Sequence, residues 1–201
     1  STTDLVFAFD RGTPLRRELC PLYKTATAGR EEKDPSFKEA RRKIKHQITA
    51  LRMEYLPALG YKNVFSRTGY EADDIIGTLV SRMRLKGFRS TVVTRDKDLS
   101  QLIGQNDEFW DYAAGERLAY SQIESRFGVK PEKVADFLAL TGDAVDNIPG
   151  VPGIGKKTAA VLLGEFDSLE HLYDNLDKVG ALPLRGAEGI IRKLVEHRNV
   201  A

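Results

Sequence analysis

Residues 69–80 read Gly-Tyr-Glu71-Ala-Asp73-Asp74-Ile75-Ile76-Gly-Thr-Leu79-Val80, three carboxylates running straight into an apolar stripe. Ile75, Ile76, Leu79, Val80 and Met83 recur at helical spacing, which predicts a helix over 72–86 ended by Gly87. Short apolar runs flank it, Lys62–Ser66 before and the β-branched Arg89–Thr94 after. Strand, helix and strand in succession argue for a parallel sheet covered by helices. Further strands are expected at Asp4–Phe9 and Phe109–Tyr112, and a short helix from Leu99 to Ile103. A longer helix is expected at Ser36–Leu59, on the spacing of Ile44, Ile48, Leu51, Tyr55 and Leu59. Residues 11–30 read as irregular, broken by Pro14, Pro21 and Gly29. Beyond residue 120 the pattern is helical, with Tyr120–Phe127, Pro131–Thr141, Lys156–Glu165, Ser168–Asn175 and Ala187–Arg198 as candidates. The expectation is an α/β fold with a largely parallel central sheet flanked by helices, followed by a helical lobe.

Carboxylates keep one habit along the chain: each group adjoins an apolar run. Asp10 follows Leu5–Phe9, Glu71, Asp73 and Asp74 precede Ile75, Asp96 and Asp98 follow Ser90–Thr94, and Asp143 and Asp146 follow Phe137–Gly142. Eight like charges in one pocket repel unless one is protonated or a cation sits among them. Hard oxygen ligands suit Mg²⁺ or Mn²⁺, and ligands of α/β sheets gather beyond the carboxyl ends of strands. A metal-dependent phosphoryl-transfer site is the leading reading. Each group also has a structural reading. Acids in a first helical turn favour the dipole by about 0.3–1 kcal/mol each, Asp96 suits a helix cap, and Asp10 suits an Asx turn into Arg11-Gly12. Asp143 and Asp146 lie past a helix end, where carboxylates oppose the dipole, so capping does not explain them. On a straight helix 73 lies about 200° from 71, so all three of Glu71, Asp73 and Asp74 share a pocket only if Glu71 sits in an extended turn.

The chain has 201 residues and 41% apolar content, enough for one domain, or one domain and a lobe. The single Cys20 excludes an intramolecular disulfide, fits a reducing compartment and reads as a small buried residue. No apolar run reaches the ~18 residues of a membrane span, and no signal peptide is visible. A soluble, cytoplasmic, nucleoid-associated monomer with no membrane partner is expected. The net charge of +2 hides a segregation: without the eight acids, 21 acids face 31 bases. Residues 11–52 alone hold twelve bases against five acids. A basic flank beside an acidic pocket suits a polyanionic substrate, and a solvated helix face is the alternative.

A second signal is Gly150-Val-Pro-Gly153-Ile-Gly155-Lys156-Lys157-Thr158-Ala. Three glycines allow close backbone approach, and the helix opening at Lys156 directs unpaired N–H groups outward. Such a turn binds a phosphate backbone without reading bases. An ordinary glycine-rich helical hairpin explains the glycines but not the paired lysines. The spacing is not that of a P-loop.

These residues together resemble the 5′-nuclease superfamily of flap endonucleases, phage 5′-exonucleases and the N-terminal nuclease domain of bacterial DNA polymerase I. The matching stretches are 6–10 with Arg17, 21–24, 69–79, 92–102, 140–159 and 168–179, in order along nearly the whole chain. The ending at 182–201 looks most like the polymerase I branch. The resemblance implies a PIN-like or 5′-nuclease-like core over 1–129, with a helical arch at about 24–58 and a helix–hairpin–helix DNA-binding lobe over 130–201. It implies two divalent ions, one held mainly by Asp10, Glu71, Asp73, Asp74 and Asp96, the other by Asp98, Asp143 and Asp146. Lys24 and Arg30 would act on the scissile phosphate. Arg17, Tyr23, Gly150, Gly153, Gly155, Lys156, Lys157 and Thr158 would meet DNA, with K⁺ on the hairpin carbonyls. Family members cut DNA at 5′ flaps, nicks or ends in replication and repair, some with a polymerase domain in the same polypeptide.

Two departures stand out. The family begins with a strand ending in aspartate, and this sequence enters just before the second family strand, so one metal ligand is expected to be missing. The compact family motif Tyr-Lys-x-x-Arg is stretched here to Tyr23-Lys24 and Arg30. A catalytically impaired DNA-binding module is therefore the alternative to an active nuclease.

Overall fold

A computed structural model describes residues 4–25 and 32–199. The chain divides into two compact units, residues 1–79 with Val145–Asn147, and residues 80–144 with 148–201. The class is mixed α/β, and the strands are distributed over two small sheets.

In the first unit, β1 (Phe7–Phe9) pairs in parallel with β2 (Val64–Ser66), Phe7 opposite Val64 and Phe9 opposite Ser66. A one-turn helix, α1 (Arg16–Leu19), interrupts the stretch expected to be irregular. α2 (Pro35–Ala50) starts where Asp34 accepts hydrogen bonds from the Ser36 and Phe37 amides, with Pro35 at its first position. It continues through a π-helical turn (Leu51–Tyr55) into α3 (Leu56–Ala58). The apolar stripe expected along this helix is exposed at Ile44, Ile48, Leu51, Tyr55 and Leu59. Leu56 is the buried large apolar residue of this unit among the described residues. Cys20, expected to be buried, is exposed.

α4 (Ala72–Leu85) passes from the first unit into the second. There β3 (Thr91–Val93) runs parallel to β4 (Glu108–Asp111), which turns through Gly115 into antiparallel β5 (Glu116–Ala119). β5 was not expected from the sequence. Its alternation is weak, and a single inward residue, Leu118, carries its apolar signal. Lys97–Leu102 is a 3₁₀ helix rather than an α-helix. α5 (Tyr120–Phe127) ends at left-handed Gly128. α6 (Val134–Thr141), α7 (Lys156–Glu165), α8 (Leu169–Asp174) and α9 (Ala187–Glu196) follow. They close on one core that includes Phe137, Leu140, Val151, Ile154, Leu162, Leu163, Phe166, Leu172 and Leu194. The driving force of this unit is apolar burial.

One buried carboxylate fixes the entry to the three-stranded sheet. Asp107 accepts from the Ser90 amide at 2.8 Å, the Gly104 amide at 3.0 Å and Arg84 Nε at 3.0 Å. Burial acts to raise its pKa, but the Ser90 amide, Arg84 and the Gly104 amide outweigh it, and the net direction is downward. Its ionisation therefore stabilises the fold above the ordinary carboxylate range, and that contribution is lost as pH falls through the lowered value. Asp107→Ala strands three donors and is expected to cost about 3 kcal/mol. Urea unfolding at neutral pH measures it, and an unchanged midpoint would contradict the assignment.

Candidate functional site

The first unit gathers its charged residues around one carboxylate. Glu71 lies in the turn before α4, outside the helix, as the shared-pocket geometry required. The Asp10 carboxylate, just past β1, accepts from the Ala72 amide at 2.6 Å, and Asp74 Oδ2 accepts from the Glu71 amide at 3.0 Å. These two bonds use the amides of the first helical residue and of the residue before it, which the helix leaves unpaired. Asp10 thus ties two segments together instead of making a local Asx turn. Asp73 is half-buried in the same first turn.

Glu71 is 5% exposed, and three donors serve its carboxylate. Arg16 Nη1 donates to Oε2 at 2.7 Å, the Tyr23 hydroxyl lies 3.0 Å from the same oxygen, and Lys24 Nζ donates to Oε1 at 2.9 Å. Arg16 also grips Asp74 with both terminal nitrogens, at 2.9 and 2.6 Å. Lys24 Nζ stands 3.6 Å from Asp146 Oδ1, and the Tyr23 hydroxyl 3.2 Å from Asp146 Oδ2. The structure therefore brings together Tyr23, Lys24, Glu71, Asp74 and Asp146.

Backbone bonds set this arrangement. Lys24 adopts left-handed φ of +53°, an unusual conformation for a side-chain-bearing residue, and so does Asn147 at +59°. The Lys24 amide donates to the Asp146 carbonyl at 3.2 Å, and Asn147 Nδ2 donates to the Leu22 carbonyl at 2.9 Å. Arg17, expected to meet DNA, donates to the Tyr23 and Lys24 carbonyls at 3.2 and 3.0 Å. Arg16, which the sequence reading did not single out, supplies the charge among the acids. Its only sequence signal was adjacency to Arg17, since one-residue register in a one-turn helix is not legible from spacing. Arg30 lies outside the described residues.

Electrostatics follow from this geometry. Burial works to raise the Glu71 pKa, but Lys24, Tyr23 and Arg16 together lower it. Burial works against the Lys24 charge, yet its bonds to Glu71 and Tyr23 and the charge on Asp146 raise its pKa. Burial, with Asp146 and Glu71, raises Tyr23 against the opposing effect of Lys24, so the hydroxyl keeps its proton for donation.

In the second unit, Asp96 accepts from the Asp98 amide at 3.0 Å and caps the 3₁₀ helix, the structural role open to it from sequence. Asp98 lies in the first turn of that helix. Asp143 is buried, faces Lys97 Nζ at 3.4 Å, and exchanges backbone bonds with Ile148 at 2.9 and 2.8 Å. The glycine turn follows. Gly150 has φ of +65°, and a β-carbon there would collide with the backbone of Thr141 and Gly142, so only glycine lets the turn close on the end of α6. Gly155 precedes α7, whose first residues Lys156 and Lys157 are exposed and Thr158 half-buried.

The carboxylate oxygens are hard donors of the kind that hold Mg²⁺ or Mn²⁺. As placed, no three acids among the described residues form a group that could hold an ion. Within the first unit, Arg16 and Lys24 provide the compensating charge.

Solved structures share this chain fold. The bacteriophage T5 flap endonuclease, in a pseudo-enzyme-product complex with DNA and metal ions, superposes with a TM-score of 0.77 at 21% identity, covering 95% of this chain and 68% of that one. The fold is thus that of a 5′-nuclease. Residues 1–128 match the 5′-3′ exonuclease N-terminal resolvase-like domain, and residues 129–201 the 5′-3′ exonuclease C-terminal SAM fold. The chain belongs to the 5′-3′ exonuclease family. DNA polymerase I of Pseudomonas aeruginosa is 48% identical over 134 residues, 66% of this chain and 15% of that protein. The 5′-3′ exonuclease of Buchnera aphidicola subsp. Acyrthosiphon pisum is 38% identical over 148 residues, 74% of this chain and 51% of that one. The chain spans about half or less of these curated relatives.

Glu71 supplies a direct test of the cluster. Its ionised form stabilises the fold above the ordinary carboxylate range near pH ~4.3, and that part is lost as pH falls through its lowered value. Glu71→Gln is expected to cost about 1–2 kcal/mol at pH 7, discounted for the solvent that reaches Arg16 and Lys24. Urea unfolding at pH 7 and pH 3 should show the difference between wild type and variant shrinking at the lower pH. A difference independent of pH would contradict the charge assignment.

Proposed function

We propose that this chain hydrolyses phosphodiester bonds of DNA at 5′ ends, flaps or nicks, in a divalent-cation-dependent reaction serving replication or repair. The observation that carries the reading is Lys24. Its ammonium sits at 2.9 Å from a buried carboxylate in a 5′-3′ exonuclease chain, on a strained backbone that holds it there. Lys24 is partly exposed, so its charge can meet a phosphate oxygen while its stem stays fixed. Tyr23, protonated, is a second donor beside it. Arg16 keeps Glu71 and Asp74 oriented and neutralised while no other cation is present.

Support for DNA as substrate and for divalent ions comes from the family and from the T5 relative, which was solved with DNA and metal ions. Mg²⁺ or Mn²⁺ is expected, served by oxygens of Asp10, Glu71, Asp73, Asp74, Asp96, Asp98, Asp143 and Asp146. The turn at Gly150, Gly153 and Gly155 with Lys156, Lys157 and Thr158 is assigned to the duplex backbone, with K⁺ as an accessory ion. Residues 1–129 would form the nuclease core with its arch, and 130–201 the DNA-binding lobe. DNA polymerase I relatives suggest a polymerase domain in the same polypeptide. One observation favours a second reading, a DNA-binding module without cleavage: Arg16 and Lys24 already pair with Glu71, Asp74 and Asp146.

A labelled 5′-flap duplex with Mg²⁺ or Mn²⁺ separates the two, tested with this chain and with a form carrying an added strand ending in aspartate before Ser1. Cation-dependent release of 5′-phosphorylated products is expected, abolished by a chelator. Asp143→Asn with Asp146→Asn should slow cleavage by about 100-fold or more while preserving or tightening DNA binding, because negative charge is removed. Binding without cleavage in both forms would establish the second reading instead.

A further inference from the structure

Lys193 sits in α9, forty residues from the glycine turn in sequence, yet its side chain ends on that turn. Gly153 has φ of +79°, and a β-carbon there would collide with the Lys193 ammonium, with the neighbouring methylenes 3.2 and 3.6 Å away. Glycine at 153 therefore answers two demands, a left-handed backbone and a path for the lysine across it. Ile190 and Leu194, buried on the same helix, fix the direction from which Lys193 arrives.

Lys193 as a residue is half-buried, and its ammonium has no hydrogen bond or ion pair among the described residues. Lys133 in the same unit contrasts with it: its ammonium donates to the Leu163 and Phe166 carbonyls at 2.6 and 3.0 Å. A cation without a partner is free to pair with an anion brought to it. Gly153 is exposed, and so are Lys156 and Lys157 a few residues on.

We propose that Lys193 is a DNA-backbone contact, a third cation laid on the glycine turn beside Lys156 and Lys157. The inference rests on the reading of that turn as a duplex-binding element. It adds a residue that no motif around the hairpin would reveal. Backbone contact of this kind is independent of sequence and releases condensed counterions, so each phosphate neutralised steepens the salt dependence by about 0.9 in the log–log slope.

Lys193→Met keeps the stem over Gly153 and removes the charge. Fluorescence anisotropy with a labelled plain duplex across a salt series should show a slope shallower by about 0.9 and, at low salt, several-fold weaker binding. The melting temperature should be unchanged, and Lys193→Arg should restore the wild-type slope. An unchanged slope and affinity, with or without a lower melting temperature, would overturn the assignment and leave the lysine as packing. If Lys156→Met with Lys157→Met weakens binding while Lys193→Met does not, the inference alone fails. If wild type binds no duplex, or the double lysine variant binds like wild type, the duplex-binding reading of the turn fails with it.

Discussion

A carboxylate removed from water must be repaid by donors, and Glu71 has three: Arg16, Tyr23 and Lys24. Most of what is ordered around the candidate site in the first unit follows from that demand. Arg16 reaches Glu71 and Asp74 together, which fixes the start of α4. Lys24 reaches Glu71 and Asp146, which holds the 145–147 segment against the loop at 22–24. Leu56 is the buried large apolar residue of this unit among those described, so charge pairing and backbone bonds carry much of its organisation. The left-handed Lys24 and Asn147 are the conformational cost of bringing those donors in.

The second unit rests on the opposite principle. Val151 and Ile154 are buried in the core that α6, α7, α8 and α9 share, so the turn's apolar residues anchor it while Gly153 and Gly155 stay at the surface. Gly150 packs backbone against backbone, which leaves the turn little freedom. The proposed contact with a phosphate backbone would gain from that rigidity, because ordering a loose loop on binding would reduce affinity. The acids differ accordingly. In the first unit Glu71, Asp74 and Asp146 face Arg16 or Lys24 and Asp10 accepts from an amide, whereas in the second Asp96 is occupied by a cap and Asp143 by a bridge and Lys97.

Much of this was legible in the sequence where local rules decide. Helix Lys156–Glu165 has the expected limits residue for residue, because Gly155 and the apolar spacing mark it. Strands β1, β2 and β3 are present but shorter than their apolar runs, since hydrogen-bonded pairing stops before hydrophobicity does, and β4 is shifted by one residue. β5 was missed because Leu118 alone shows its inward face. The stripe on α2 was read correctly as helical, yet periodicity says nothing about whether a partner covers it. Eight acids could be listed from their places beside apolar runs. Which cation each would face could not, because Arg16 and Arg17 differ by one position in a single helical turn. Lys193 and Asp107 escaped for a related reason: their partners are distant in sequence, and only the fold brings them together.

The central claim is that Lys24 and Glu71 act as one unit at the heart of the site. A double-mutant cycle of Lys24→Met and Glu71→Gln, read from urea unfolding at pH 7, measures that coupling without reference to catalysis. The account predicts that the two single losses exceed the double loss by about 1 kcal/mol. Additive losses would contradict it.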